Sequence, residues 1–453
     1  MSCRRRWALG GIALALGGCA SVNPEPDYGR ARDEVARATG FATLYQPNEE
    51  ERCREQVAEL LEGGLTSHEA VQVALLNHPR LRELMFEIGS SRADAVQAGL
   101  LSNPSLGLLV RFPVDGGSVV TEGGVMQNLS ELWQMPIRKQ IAEGQVEHAI
   151  LALGQNAVLV AAQTKSAYSS ALATASALTV AEENLGTAQR FLDLTGERVA
   201  AGAATQVDLN AARSTMLEQL AHVRAARFRA GEAKRNLVLV LGLATPPERI
   251  ELSDRLSDSD HGTLELERLL TVASENRLDL RAVKQEVLAL EQSVPLERRR
   301  VWRFVGGGLD FEVEGGEVSL GPALELELPI FDQNQAQVAK AELRYLKALE
   351  RLDGVTTAVS QQVRGAYERF LLAQDMADLY RAELLPLREE SLNLAMESFA
   401  AGKTGFLSVL EAQERLLQTR QEFVDQLEAV ALSIPALEAA CGRPFDFLLE
   451  AEE

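Results

Sequence analysis

The sequence predicts a mainly α-helical protein with a small transmembrane β part, built as a duplicated repeat. Three observations carry that reading. Glu197-Arg198-Val199-Ala200-Ala201-Gly202 returns 200 residues later as Glu397-Ser398-Phe399-Ala400-Ala401-Gly402, and Leu65, Ala74, Asn77 and Leu81 line up with Leu264, Ala273, Asn276 and Leu280 within a residue of the same offset. A repeat of this size is a domain-scale duplication, well beyond the ~20–50 residues of solenoid units. Each copy holds a pair of alternating strand-like segments, and after each pair comes a very long helical stretch, a small-residue break and a second helix.

The chain begins with what reads as an export address. Arg4-Arg5-Arg6 is a positive n-region, Trp7 to Leu16 an apolar stretch too short to span a bilayer, and Leu16-Gly17-Gly18-Cys19 has the form of a bacterial lipobox. Residues 1–18 are therefore expected to be a lipoprotein signal peptide, with Cys19 the acylated N-terminus and 19–60 a lipidated linker. Ala20-Ser21, with no Asp after the cysteine, resembles lipoproteins sent on to the outer membrane. More than one acyl chain makes such a tether stable. Cys3 leaves with the signal, so Cys53 and Cys441 remain; export permits a disulfide between them, and two unpaired thiols is the simpler reading.

The remaining boundaries follow the duplication. Repeat 1 covers 61–252, with a β-hairpin over about 104–129 and a long αα-hairpin over about 137–241. A polar linker occupies 253–263. Repeat 2 covers 264–442, with a hairpin over about 304–328 and an αα-hairpin over about 330–434, and 443–453 is a tail. Alanine, leucine, glutamate, glutamine and arginine dominate, and aromatics make up only 5%, a profile of long helices. The net charge of −20 argues against a nucleic-acid partner, because phosphate binding needs clustered Lys and Arg.

Each candidate strand has the ~9–11 residues that a tilted membrane strand needs. Leu324-Glu325-Leu326-Glu327-Leu328 alternates strictly, giving one oily and one wet face. A two-hairpin subdomain on a non-spanning protein is the alternative. Outside the signal no apolar run reaches the ~20 residues of a spanning helix, so any crossing falls to strands. Four strands cannot close, and open edges in lipid leave backbone groups unpaired at several kcal/mol each. Three chains pooling their hairpins give twelve strands and room for a channel. Trp133 and Trp302 would then share one end of the strands, as an interfacial aromatic belt; burial under the helices is the competing reading.

Pro136-Ile137 and Pro329-Ile330 read as equivalent strand-to-helix corners, with proline at the first helical position. No proline interrupts Ile137 to Val199, whereas Pro386 predicts a kink or break in the second copy. Gly202 and Gly402 fit positive-φ helix ends, and Thr205 and Thr404 are available as caps for the helices that follow.

These features together resemble the TolC family of outer-membrane efflux channels. The likeness runs from about Leu65 to Gly442 and includes Leu65-Thr66-Ser67-His68-Glu69-Ala70, Asn77-His78-Pro79-Arg80-Leu81 and both tips. Its most specific stretch is Ala401-Gly402-Lys403-Thr404-Gly405-Phe406-Leu407-Ser408-Val409-Leu410-Glu411-Ala412-Gln413. Leu328-Pro329-Ile330-Phe331-Asp332-Gln333-Asn334-Gln335 is similar to the heavy-metal, CzcC-like branch. The resemblance implies a homotrimer whose twelve-stranded β-barrel in the outer membrane continues as a twelve-helix periplasmic α-barrel. It further implies a passive exit duct served by a periplasmic adaptor and an inner-membrane RND-type pump, with metal cations one cargo.

The same resemblance assigns roles at the tips. Glu411 and Ser408 stand where relatives carry paired acids around the periplasmic entrance, and Asp208 is the counterpart of Ser408. Ala200, Ala201, Gly202, Ala401, Gly402 and Lys403 match groove positions that meet the adaptor. Solvated helix residues are the plain alternative for Glu411 and Asp208. No catalytic, cofactor or metal signature stands out: His68, His78, His148, His222 and His261 are scattered, and no P-loop, GxSxG or CxxC occurs. The competing functional class is a lipid-anchored periplasmic helical scaffold without a pore.

Overall fold

The computed structural model describes residues 21–256, 262, 264–401 and 403–449. Cys19, Gly402 and most of the 257–263 segment lie outside the described residues, as do the side chains of Ala400 and Phe406.

The stretch expected as a linker is folded from Glu25 onward. α1 (Glu25–Thr39) and α2 (Glu50–Leu60) are helices, and Ala31 and Val35 of α1 are fully buried. The alternation of Tyr28, Ala31 and Val35 at three-to-four spacing gives α1 an apolar stripe, which its charged residues mask in the raw sequence. α3 (Ser67–Asn77) opens on a capping box, with Thr66 and Glu69 satisfying each other's backbone N–H groups. α4 (Pro79–Ala98) follows directly, with Pro79 in its first turn and the His78 side chain accepting from the N–H of Arg80.

The first hairpin is β1 (Ser105–Arg111) and β2 (Val120–Asn128). α5 (Glu131–Ala200) is a single helix of 70 residues, on the order of 100 Å long at ~1.5 Å per residue. It begins six residues earlier than Ile137, so Pro136 sits inside its second turn instead of at the corner. α6 (Gln206–Val240) returns along it. In the second copy α7 (Leu266–Asn276) and α8 (Leu278–Arg299) lead to β3 (Val305–Glu314) and β4 (Glu317–Leu326). α9 (Gln335–Leu379) starts later than Ile330 because Asn334 turns the chain in the left-handed region, φ 62°. Its Nδ2 donates to the Glu297 carbonyl at 2.7 Å, which anchors that turn to α8. The two proline corners are therefore not equivalent.

A π turn, Tyr380–Leu384, separates α9 from α10 (Leu385–Ala400), which places the expected break beside Pro386. The ring of Pro386 cannot donate to an i−4 carbonyl, and the widened turn absorbs that loss. α11 (Phe406–Cys441) runs back, and α12 (Phe445–Leu449) closes the described chain.

The principal core lies where α1, α3 and α4 pack on α5, with Leu75, Leu81, Met85, Ile88, Ile150 and Leu153 nearly or wholly buried. A second core joins α7, α9, α11 and α12 around Phe370 and Leu437. The duplication is visible in matching hydrogen bonds: Tyr168 donates to the Leu65 carbonyl at 2.7 Å, and Tyr367 donates to the Leu264 carbonyl at 3.1 Å. Cys53 and Cys441 are free and buried, in separate cores.

Buried charge fastens α1 to its neighbours. Asp27 accepts from Arg92 at 2.6 Å, Arg92 also reaches Glu143, and Glu34 pairs with Arg281 at 2.9 Å. Burial raises the Asp27 pKa, but hydrogen bonds from Arg92 and Arg30 outweigh it and hold the carboxyl below its ordinary value.

Candidate functional site: a two-faced sheet above a helical wall

The four strands form one antiparallel sheet in the order β1-β2-β3-β4. Directly opposed residues share a face, so the register sorts the side chains. One face carries the rungs Leu106–Val125–Leu309–Pro322, Leu108–Gly123–Phe311–Leu320 and Val110–Thr121–Val313–Val318. These side chains are not covered by the rest of the chain: Leu106 is 77% exposed, Leu320 71% and Val318 71%. Phe311 lies over Gly123, where a Cβ would come within 2.7 Å of its ring. Glycine at that position is what lets the aromatic ring lie flat on the sheet.

The opposite face is acidic. Its rungs are Gly107–Gly124–Asp310–Gly321, Leu109–Glu122–Glu312–Ser319 and Arg111–Val120–Glu314–Glu317, with Glu325 opposite Gly306. Arg111, paired with Glu122, is the cationic residue of these strands. No helix among the described residues is long and apolar enough to cross a membrane. β1 and β4 each keep one unpaired edge in the single chain.

At the end of the sheet joined to the helices, Trp133 and Trp302 are 37% and 42% exposed. Gln134 donates to the Trp302 carbonyl at 3.2 Å, which brings the two tryptophan segments together. At the far end of the helices the tips differ. In the first copy Thr205 caps α6, and Asp208 closes a capping box, accepting from the Thr205 N–H at 2.8 Å and its hydroxyl at 2.7 Å. Those two bonds hold the Asp208 carboxyl below its ordinary pKa. In the second copy the cap is Gly405 instead of Thr404, with no side-chain bond, and Ser408 stands where Asp208 does.

Glu411 and Ser408 are exposed on the first turns of α11, and Glu411 makes no hydrogen bond or ion pair. Ala200, Ala201, Ala401 and Lys403 are exposed at the tips. Gly202 has φ 70° with open space around it, and the amide of Lys403 donates to the Ser398 carbonyl at 2.9 Å. One contact has no precursor in the sequence reading: the Arg198 guanidinium stacks over the Phe399 ring at 4.1 Å, joining the two tips of one chain. The acidic face was also missed, because Asp310, Glu312 and Glu122 become neighbours only once the register is known. Among the described residues, no three His, Cys, Asp or Glu side chains converge to hold a metal ion.

A family model described as outer membrane efflux protein matches residues 70–243 and 269–443, one stretch in each repeat. The chain is 25% identical over 387 residues to the cobalt-zinc-cadmium resistance protein CzcC of Cupriavidus metallidurans, covering 84% of this chain and 91% of that one. Its fold is similar to a membrane protein from Pseudomonas aeruginosa, with a TM-score of 0.70 and 22% identity, covering 83% of this chain and 93% of the other. It is also similar to CusC, with a TM-score of 0.71 and 16% identity, covering 83% and 92%. With the two-faced sheet and both helical repeats spanned by these matches, the chain belongs to the outer membrane efflux protein family.

Proposed function

We propose that three copies of this chain form the exit duct of a tripartite efflux system, admitting metal cations delivered by an inner-membrane pump through a periplasmic adaptor. The single observation that carries the reading is the sheet with one bare apolar face, one acidic face and two open edges. In lipid the apolar face needs no cover, while the open edges demand strand partners. Twelve strands from three chains satisfy the edges and turn the acidic face onto the bore.

The helical wall supports the same assembly. Leu217, Phe228 and Leu239 lie exposed on α6 at one flank, and Leu343, Leu346 and Leu372 lie exposed on α9 at the other. Unlike flanks that meet head to tail close a ring. Eighteen carboxylates, roughly six per chain on the sheet face, favour cations over anions. Glu411 supplies three further carboxylates near the entrance, with Ser408 beside it, while Asp208 serves first as a helix cap. Ala200, Ala201, Gly202, Ala401, Gly402 and Lys403 form the adaptor contact, Trp133 and Trp302 the interfacial belt, and Cys19 carries the lipid.

CzcC, by its name a metal-resistance protein, is the relative that favours metal cargo. The test is a planar-bilayer recording on purified protein: stepwise conductance with a reversal potential displaced toward the cation equilibrium is expected. Monomeric protein without conductance overturns the duct. In that case the lipid-anchored scaffold stands, and Cys19→Ala releases the protein from the membrane.

A further inference from the structure

We propose that the base of the sheet carries a binding collar for anionic phospholipid headgroups, formed by Arg138, Lys139 and Arg299 beneath Trp133 and Trp302. The inference rests on the duct reading above, because it takes the apolar sheet face to lie in lipid.

Neighbouring cations at this level are spent on carboxylates. Arg298 pairs with Glu342 at 2.8 Å, Arg300 with Glu297 at 2.6 Å, and Arg303 with Asp332. The three collar residues are different. Arg138 donates to the Leu100 carbonyl at 3.2 Å, Arg299 donates to the Trp133 carbonyl at 3.4 Å, and Lys139 is exposed; none has a carboxylate within ion-pair distance. The Nε of Arg138 is buried without any partner. In a protein of net charge −20, three uncommitted cations gathered at one level are not explained by internal pairing.

Their level and direction are both set by the fold. Lys139 is two turns into α5 from Trp133, and Arg299 is three residues before Trp302, so the collar sits at the helix side of the sheet. α1 marks the outer face of the helical wall, through Arg30 to Glu147 at 2.7 Å and Arg281 to Glu34. Lys139 precedes Glu143 by four residues and Glu147 by eight, on one stripe of α5. Arg299 follows Arg281 by eighteen residues, five turns at ~3.6 residues each. Both therefore point to the side that α1 occupies. In a conducting trimer this is the outside, since a bore filled by the α1, α3 and α4 layer could not conduct.

The occupant is the phospholipid leaflet that meets the sheet on its helix side. Tryptophans at the headgroup level with cations just beyond them are the arrangement that anchors a protein to an anionic interface. Arg299 and Arg138 offer planar N–H donors suited to a phosphate, and Lys139 adds a mobile point charge.

The experiment uses the full-length trimer in neutral detergent. Its Tm is followed as phosphatidylglycerol or phosphatidylcholine is added, with inorganic phosphate as a third arm. Wild type is expected to gain stability with phosphatidylglycerol at concentrations where phosphatidylcholine has no effect, and the gain should fade with salt. Lys139→Gln is expected to weaken the apparent lipid affinity about fivefold, and Arg138→Gln/Lys139→Gln/Arg299→Gln on the order of a hundredfold. Lys139→Arg should restore it, and Arg32→Gln, on exposed α1 surface, should leave it unchanged. Because Lys139 makes no hydrogen bond or ion pair to be lost, the single variant reads out even where the triple variant does not fold.

Equal response to the two lipids, or an undiminished preference in Lys139→Gln, overturns the collar. Displacement of phosphatidylglycerol by millimolar inorganic phosphate overturns the assignment to a lipid surface. Conductance from the same preparation keeps the two readings apart. A conducting trimer without lipid preference sinks the collar alone, whereas material that neither conducts nor trimerises sinks the duct with it.

Discussion

Replacing Phe311 by arginine tests the assignment of sheet faces at its centre. Phe311 is on the apolar face, opposite Gly123 and Leu320, and its neighbour Glu312 points to the acidic face opposite Glu122 and Ser319. An arginine facing lipid near mid-bilayer costs ~2–4 kcal/mol, so three copies in the proposed trimer would cost roughly 6–12 kcal/mol, enough to empty a marginally stable assembly. The ring that covers Gly123 is lost as well. Glu312→Arg places the same side chain one residue away, in water, and should leave the trimer intact while moving the reversal potential toward anions. The assays are heat-dependent mobility of the trimer on a denaturing gel and bilayer reversal potential. If Phe311→Arg assembles and conducts like wild type, or if Glu312→Arg is the more damaging of the two, the two faces have been assigned the wrong way round.

Four further outcomes are expected. Thr205→Ala removes the α6 capping box and should cost about 1 kcal/mol, seen as faster hydrogen exchange in the first turn of α6; Gly405→Thr with Ser408→Asp should slow exchange at the start of α11. Gly308→Ala sets a Cβ against the Val125 carbonyl and should abolish assembly of the sheet, measured as loss of the trimer band. The Asp27 pKa is lowered on folding, so its stabilisation is complete above the unfolded value of about 4 and is lost as pH falls through the lower folded value. Circular dichroism should therefore show an acid transition that Asp27→Asn flattens. Burial pushes the Cys441 thiol up to about 12, so it should resist maleimide until the chain unfolds, with mass spectrometry detecting no disulfide to Cys53.

Where the sequence was readable, the signals were local. The strand hairpins stand within a few residues of their expected bounds, because alternation and glycine-rich turns are properties of adjacent residues. Gly202 and Thr205 take the end and cap positions that their chemistry favours. The corners did not follow the same logic. Pro136 and Pro329 look alike in sequence, yet one sits inside a helix and the other before a left-handed Asn334 held by Glu297, a residue 37 positions away. Thr404 has the right side chain for a cap, but the cap position falls one residue later, on Gly405, and the helix begins at Phe406. α1 escaped notice because its stripe is short and its charges are satisfied by Arg92 and Arg281, from other helices. The acidic face and the Arg198–Phe399 stack likewise depend on partners distant in the chain.

The π turn leaves a trace in the arithmetic of the duplication. Tyr168 and Tyr367 are 199 residues apart, while Glu197 and Glu397 are 200 apart, so one residue has been inserted between them, and the widened turn at Tyr380–Leu384 is where the helix accommodates it. In a plain α-helix one extra residue would advance everything beyond it by about 100° around the axis, but the widened turn takes the residue up locally and leaves the phase beyond it nearly unchanged. The ends of α5 and α10 accordingly close alike, with the amides of Ala201 and Ala401 donating to the Glu197 and Glu397 carbonyls, each at 3.0 Å. An insertion that would otherwise have turned one tip away from the other is thus confined to a single bulge, and the two ends of the duplicated hairpins stay matched.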